Sequence, residues 1–211
     1  YNISTLVQYI VQNYGPSSTR YSSGDLDSAS LSAFASANTQ PVGLCLTDRA
    51  NVLQVCQDLA ASVGAQVVVT TLGKLRLVKL ALPAGGTPAA VTAQDFDEHS
   101  LKVSDRPSVK ATAKLGYGRN WSVQTSGLAT GLPASSAAAL GVGVLPVTSS
   151  DATVTSVYKL GTQPEQVDTL LVVESDATTE AARRRDLWKT PRQVYEARYR
   201  AHMLLTELGD A

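Results

Sequence analysis

The sequence predicts an α+β protein whose strands are mainly antiparallel. Some segments carry apolar residues at helical spacing, such as Ile3, Leu6, Val7, Ile10 and Val11. Others alternate strictly: Val109, Ala111, Ala113, Leu115 and Tyr117 face one way and Lys110, Thr112, Lys114 and Gly116 the other. The two kinds are segregated rather than interleaved, with roughly four helices among about eight strands, which is the α+β arrangement.

In chain order, the first helix runs from Ile3 to Tyr14 and stops at Gly15-Pro16. Leu26 to Ala37 reads as a short helix carrying Leu31 and Phe34. The apolar run PVGLCL, residues 41–46, reads as a buried strand. Thr47 or Asp48 is expected to cap the next helix, because a short side-chain oxygen accepts a free amide of the first turn. Val52, Val55, Cys56, Leu59, Ala60 and Val63 then make one apolar stripe, and Gly64 supplies a left-handed residue at its end. AQVVVT and KLRLVKLAL follow as two strands joined by a tight turn at Leu72-Gly73. The predicted unit is a β-α-β-β module covering residues 40–82.

PAGGTP reads as a linker. LGYGRNWSVQ, residues 115–124, lies at the far end of the alternating strand. Gly116 and Gly118 are expected to kink it, Arg119 and Asn120 to hydrogen-bond local backbone, and Trp121 and Val123 to resume the alternation. Residues 127–143 read as loop or weak helix, and residues 155–172 as irregular to strand-like. Residues 176–190 read as a helix with Asp176 as its cap and Pro191 beyond its end. Tyr195, Ala197, Tyr199, Ala201 and Met203 alternate with polar residues and predict a long amphipathic strand.

The composition narrows the function classes. Hydrophobic residues make up 44% of the 211 residues and charged residues only 17%. A surface built on small hydroxyls is one that partners often cover, although compositional bias gives the same totals. Lys plus Arg equals Asp plus Glu at 18 each, which removes the charge footprint of a nucleic-acid binder. Arg183 to Arg185 are flanked by Asp176, Glu180 and Asp186 and read as a solvated helix face. Cys45 and Cys56 are too few for a disulfide scaffold, and Cys56 falls on an apolar stripe. No run of 18 apolar residues spans a membrane. Both chain ends read as cuts through a larger protein.

Catalytic and metal-binding patterns do not assemble. His99 and His202 are isolated. Asp95, Asp97, Glu98 and His99 form the one acidic cluster with a histidine, but without the oxygen spacing and glycine of a calcium loop they read as a solvated turn. There is no nucleophile elbow, no dinucleotide fingerprint and no evident carboxylate pair. The reading is therefore not an enzyme, with no catalytic residue, no cofactor and no metal.

VLQVCQDLAASVGAQVVVTTLGKLRLVKL, SVKATAKLGYGRNWSVQ and LWKTPRQVYEARYRAHMLLTELGD together resemble the central tail hub, or baseplate hub, proteins of long-tailed bacteriophages and prophages. The three passages span Val52 to Asp210 in family order. The family-motif positions are Gly116, Tyr117, Gly118, Arg119, Asn120, Trp121, Pro191, Arg192, Gly209 and Asp210. The resemblance implies an inserted α+β module over residues 1–92 and a β-rich partial barrel over residues 93–211, truncated at both chain ends. It implies structural work in tail-tip assembly, with other copies of the chain, as a trimer in the intact protein, and with neighbouring tail proteins. Such a protein is made in the bacterial cytoplasm and ends at the virion tail tip. Two other readings stand beside it: a carbohydrate- or receptor-binding platform at Tyr117, Arg119, Asn120 and Trp121, and a cell-wall hydrolase.

Overall fold

The computed structural model describes residues 1–82, 90–104, 108–161 and 163–205. Its first unit contains α1 (Ile3–Asn13), α2 (Ser28–Ala37), α3 (Val52–Ala61) and a hairpin of β1 (Ala65–Val69) and β2 (Leu75–Lys79). Each helix starts where a short polar side chain takes an unsatisfied amide: Asn2 accepts from Thr5, Asp27 from Ser30, and Asn51 from Leu53 and Gln54. The α3 cap is thus Asn51 and not Thr47 or Asp48; all three have oxygens of similar reach, and only Asn51 directly precedes the first turn. The predicted α3 stripe holds, with Val55, Cys56, Leu59, Ala60 and Val63 buried and Val52 partly buried. Gly64 sits at φ +66 and Gly73 at φ +78, as the helix end and hairpin turn require.

The strand expected over residues 41–46 is a single bridge. Val42 pairs with Leu171, the Gly43 amide donates to the Leu170 carbonyl, and the Val172 amide donates to the Pro41 carbonyl. Its partner turns into a helix at residue 174, so a longer ladder has nothing to pair with. The module is a helix and a hairpin.

The rest of the chain adds β3 (Lys102–Ser104), β4 (Thr112–Tyr117), α4 (Ala134–Leu140), β5 (Leu145–Ser150), α5 (Ala152–Tyr158), β6 (Gln166–Asp168), α6 (Glu174–Trp188) and β7 (Val194–Glu196). β4 is the centre of a three-stranded sheet, antiparallel to β5 and parallel to β6. β3 and β7 form a separate antiparallel ribbon in which Val103 lies opposite Tyr195. The fold is α+β with partial sheets, and the described strands close no barrel.

Three further readings are corrected. The segment read as irregular to strand-like, residues 155–172, opens inside α5, because Asp151 accepts from the Thr153 and Val154 amides and nucleates a turn despite the β-branched sequence; its later part holds β6 as read. The strand expected from Tyr195 to Met203 lasts only to Glu196; the Arg198 amide goes to the Ser100 hydroxyl, and residues 201–205 form a 3-10 turn. α6 begins at Glu174 without a side-chain cap, leaving Asp176 inside its first turn.

The main core is built from α1, α2, α3 and the hairpin, with Ile3, Val7, Leu31, Leu59 and Leu75 sealed from solvent. Leu170, Leu171 and Ala177 complete it from the later part of the chain. Burial of each such side chain contributes about 1.5–3 kcal/mol relative to exposure.

Cys56 lies in this core, and burial pushes its thiol up to about 11, whereas Cys45 is exposed. A thiol reagent at neutral pH is therefore expected to titrate one cysteine rapidly in the native protein and the second only in denaturant. Rapid modification of both native thiols would contradict this packing.

Candidate assembly surface

The motif residues divide into two groups at opposite ends of β4. At its C-terminal end the Gly116 carbonyl accepts from both the Thr169 amide and the Thr169 hydroxyl. A Cβ at Gly116 would stand 2.5 Å from Asp168 Oδ1 and 2.8 Å from Val144 Cγ1. Tyr117 is half-buried against the core; burial first, and then the Glu174 carboxylate, raise its hydroxyl above the ordinary tyrosine value. Gly118 takes φ +58 and donates its amide to the Leu171 carbonyl at 2.8 Å. The chain leaves the sheet here because of that left-handed turn.

Beyond it, residues 119–124 are loop, so Trp121 and Val123 do not resume a strand. Asn120 holds this loop as expected, though across space: its amide donates to Gly143, its side-chain Nδ2 donates to the Leu140 carbonyl, and its Oδ1 accepts from the Ser122 amide. Arg119 does something else. Its guanidinium stacks over Trp121 at 5.0 Å, a cation–π contact on the surface.

At the other end of β4, Lys110 donates its amide to the Trp188 carbonyl at the end of α6. Pro191 follows the helix, and Arg192 Nε donates to the Leu187 carbonyl at 2.8 Å. Gly209 and Asp210 lie outside the described residues. Gly116 and Gly118 thus fasten the end of β4, Asn120 fastens the loop beyond it and Arg192 fastens the end of α6.

The histidine region is also local architecture. Asp95 Oδ2 accepts from the Thr92 amide and hydroxyl, and Oδ1 lies 2.8 Å from His202 Nε2. The Thr92 amide, His202 and the Thr92 hydroxyl lower the Asp95 carboxyl to about 2. The Asp95–His202 pair, 107 residues apart in sequence, carried no sequence signal. Among the described residues no hydroxyl or thiol hydrogen-bonds to that ring, and no group of three metal-ligating side chains forms.

Arg183 to Arg185 are not a solvated face. They are half-buried, with Glu180 sealed beneath Arg183 and Arg184. The sequence did show Glu180 three and four residues ahead of the two arginines, which is ion-pair spacing on a helix.

No protein-family model and no curated protein matches this chain.

Among the described residues, a ribbon and a cleft present apolar surface. Along the β3–β7 ribbon Val103 and Tyr195 are each 58% exposed, with Leu101, Val194 and Tyr199 beside them. None of these residues joins the core cluster. A two-stranded ribbon this short has little stability of its own. The second surface is a cleft of about 660 Å³ between α1, α3 and residues 42–50, floored by Leu6, Ile10, Val55 and Leu59, with Tyr9 and Tyr14 at its mouth. α1 carries no charged residue at all, and charge depletion with tyrosine enrichment is the composition of protein interfaces. No helix among the described residues is long and apolar enough to cross a membrane.

Proposed function

We propose that the chain is a structural module of a bacteriophage or prophage tail hub and works in tail-tip assembly through protein–protein contacts. The observation that carries this reading is the β3–β7 ribbon. Among the described residues its apolar side chains join no core cluster, and such exposed apolar strands are in isolation a route to aggregation. A neighbouring subunit that covers the ribbon removes that cost. The order of the three tail-hub-like passages supports the same reading, as does the use of Gly116, Gly118, Asn120 and Arg192 as fasteners instead of reactive groups. The partners are other copies of the chain, arranged as a trimer, and adjoining tail proteins, at the virion tail tip.

A carbohydrate platform at Tyr117, Arg119, Asn120 and Trp121 has no comparable support. The Asn120 amide is spent on backbone, and Arg119 covers one face of Trp121.

Multi-angle light scattering of the intact protein at micromolar concentration is the test. A trimer is expected, and Val103→Asp or Tyr195→Asp is expected to shift it toward monomer. A stable wild-type monomer sinks the reading.

A further inference from the structure

Glu180 sits on the buried face of α6, 4% exposed. Its Oε1 accepts from Arg183 Nη2 and Arg184 Nε, and its Oε2 from Arg183 Nε, each at 2.7 Å. The same two guanidiniums reach across to the first unit. Arg183 donates to the Leu80 carbonyl at 2.6 Å and to Val63 at 3.3 Å. Arg184 donates to the Ala61 carbonyl at 2.7 Å and to Ser62 at 3.3 Å. The last carbonyls of a helix carry partial negative charge and favour cations, so one carboxylate aims two cations at the end of α3.

Lys79 Nζ approaches from β2, 3.7 Å from Oε2, while bonded to Asn38 at 2.7 Å. Lys79, Arg183 and Arg184 are the charged groups that face Glu180 among the described residues; α3 presents only neutral carbonyls there. Three cations therefore surround a single sealed anion.

The two sides of this contact are unequal. Among the described buried residues of the core cluster, fourteen precede residue 82, and three, Leu170, Leu171 and Ala177, follow it. The helix–hairpin unit has a core of its own. Of the described residues, the later part of the chain gives that core only those three, and its other buried apolar residues, Ala111, Leu115, Ala181 and Leu187, lie outside the cluster.

We propose that Glu180 is the catch of an acid-released latch: protonating it frees α6 and the β5-β4-β6 sheet, while the helix–hairpin unit stays folded. A neutral Glu180 no longer organises Arg183 and Arg184, and Lys79 is left facing both.

Burial alone pushes the Glu180 carboxyl up; hydrogen bonds and charge from Arg183 and Arg184 outweigh it and hold the group below its ordinary value of 4.5. Its stabilisation is therefore complete above that value and is lost as pH falls through the lower folded-state value. Burial lowers the Lys79 ammonium, and the Glu180 charge restores part of that loss.

Amide hydrogen exchange of the full chain, corrected for intrinsic rates, tests the latch. As pH is lowered from 5 to 3, protection in β4 and α6 is expected to fall about tenfold or more before α3 and the hairpin respond. Glu180→Gln, which keeps the shape and removes the charge, is expected to reproduce that pattern at pH 7. Loss of protection in both units in one step overturns the proposal, as does wild-type protection in Glu180→Gln. Asp27→Asn is the control, because Asp27 pairs with Arg76 at 2.9 Å inside the helix–hairpin unit. If this variant loosens α6 in the same way, Glu180 is not the catch.

Discussion

Replacing Leu171 with alanine is expected to lower the free energy of unfolding by about 2–5 kcal/mol. Leu171 has no exposed surface and is one of three later residues that complete the main core. Its backbone is committed as well, bridging Val42 and accepting the Gly118 amide. The cavity left by the missing side chain cannot close, because the backbone on either side is fixed by these bonds. Urea denaturation gives the measurement. A loss below about 1 kcal/mol would show that the two parts of the chain are not joined through this side chain.

Gly64→Ala is the second large effect, with an expected cost of about 2–4 kcal/mol. Part is conformational: at φ +66 an alanine carries the left-handed penalty of about 1–2 kcal/mol. The remainder is steric, since a Cβ there would stand 2.2 Å from Arg183 Nη2 and 3.1 Å from Glu180 Oε1. Displacing Arg183 weakens charge-assisted bonds of roughly 1.5–3 kcal/mol each. Asparagine separates the contributions. It tolerates the left-handed region but has the same Cβ, so Gly64→Asn is expected to remain costly. At Gly73, φ +78 with nothing within 4 Å, the same change is expected to be nearly neutral. Equal effects at the two glycines would show that Arg183 yields freely.

The stripes of α1 and α3 were legible because their burial is set within the segment. Ile3, Val7 and Val11, and Val55, Leu59 and Val63, need only one apolar neighbour surface. The hairpin was legible for a similar reason, its turn at Gly73 being local chemistry. What failed depended on partners far away in sequence. PVGLCL is apolar enough for a strand, but its partner at residues 170–172 is short. Tyr195 to Met203 keeps its period of two, yet β3 offers only three residues to pair with. α5 was obscured by Thr153, Val154, Thr155 and Val157, whose β-branching points to a strand until the Asp151 cap is counted.

At the candidate surface, the sequence indicated that Asn120 would bracket a corner. It could not indicate that the bracket reaches Leu140, or that the Gly116 carbonyl takes both the amide and the hydroxyl of Thr169. Arg183 and Arg184 show the same limit. Their pairing with Glu180 is local, but the carbonyls they hold lie 103 to 123 residues away.

The bracket at Asn120 has a consequence for how this chain tolerates change. The Gln124 amide and the Asn120 side chain both bind the Leu140 carbonyl, which pins the two ends of the intervening stretch together. Within it Gly127 and Gly131 have positive φ and no neighbour within 4 Å. Lengthening a loop whose ends are already joined costs little, about 0.6 kcal/mol for each doubling. Evolution or an engineer can therefore splice new sequence between Gly127 and Gly131 while the sheet beneath keeps its register.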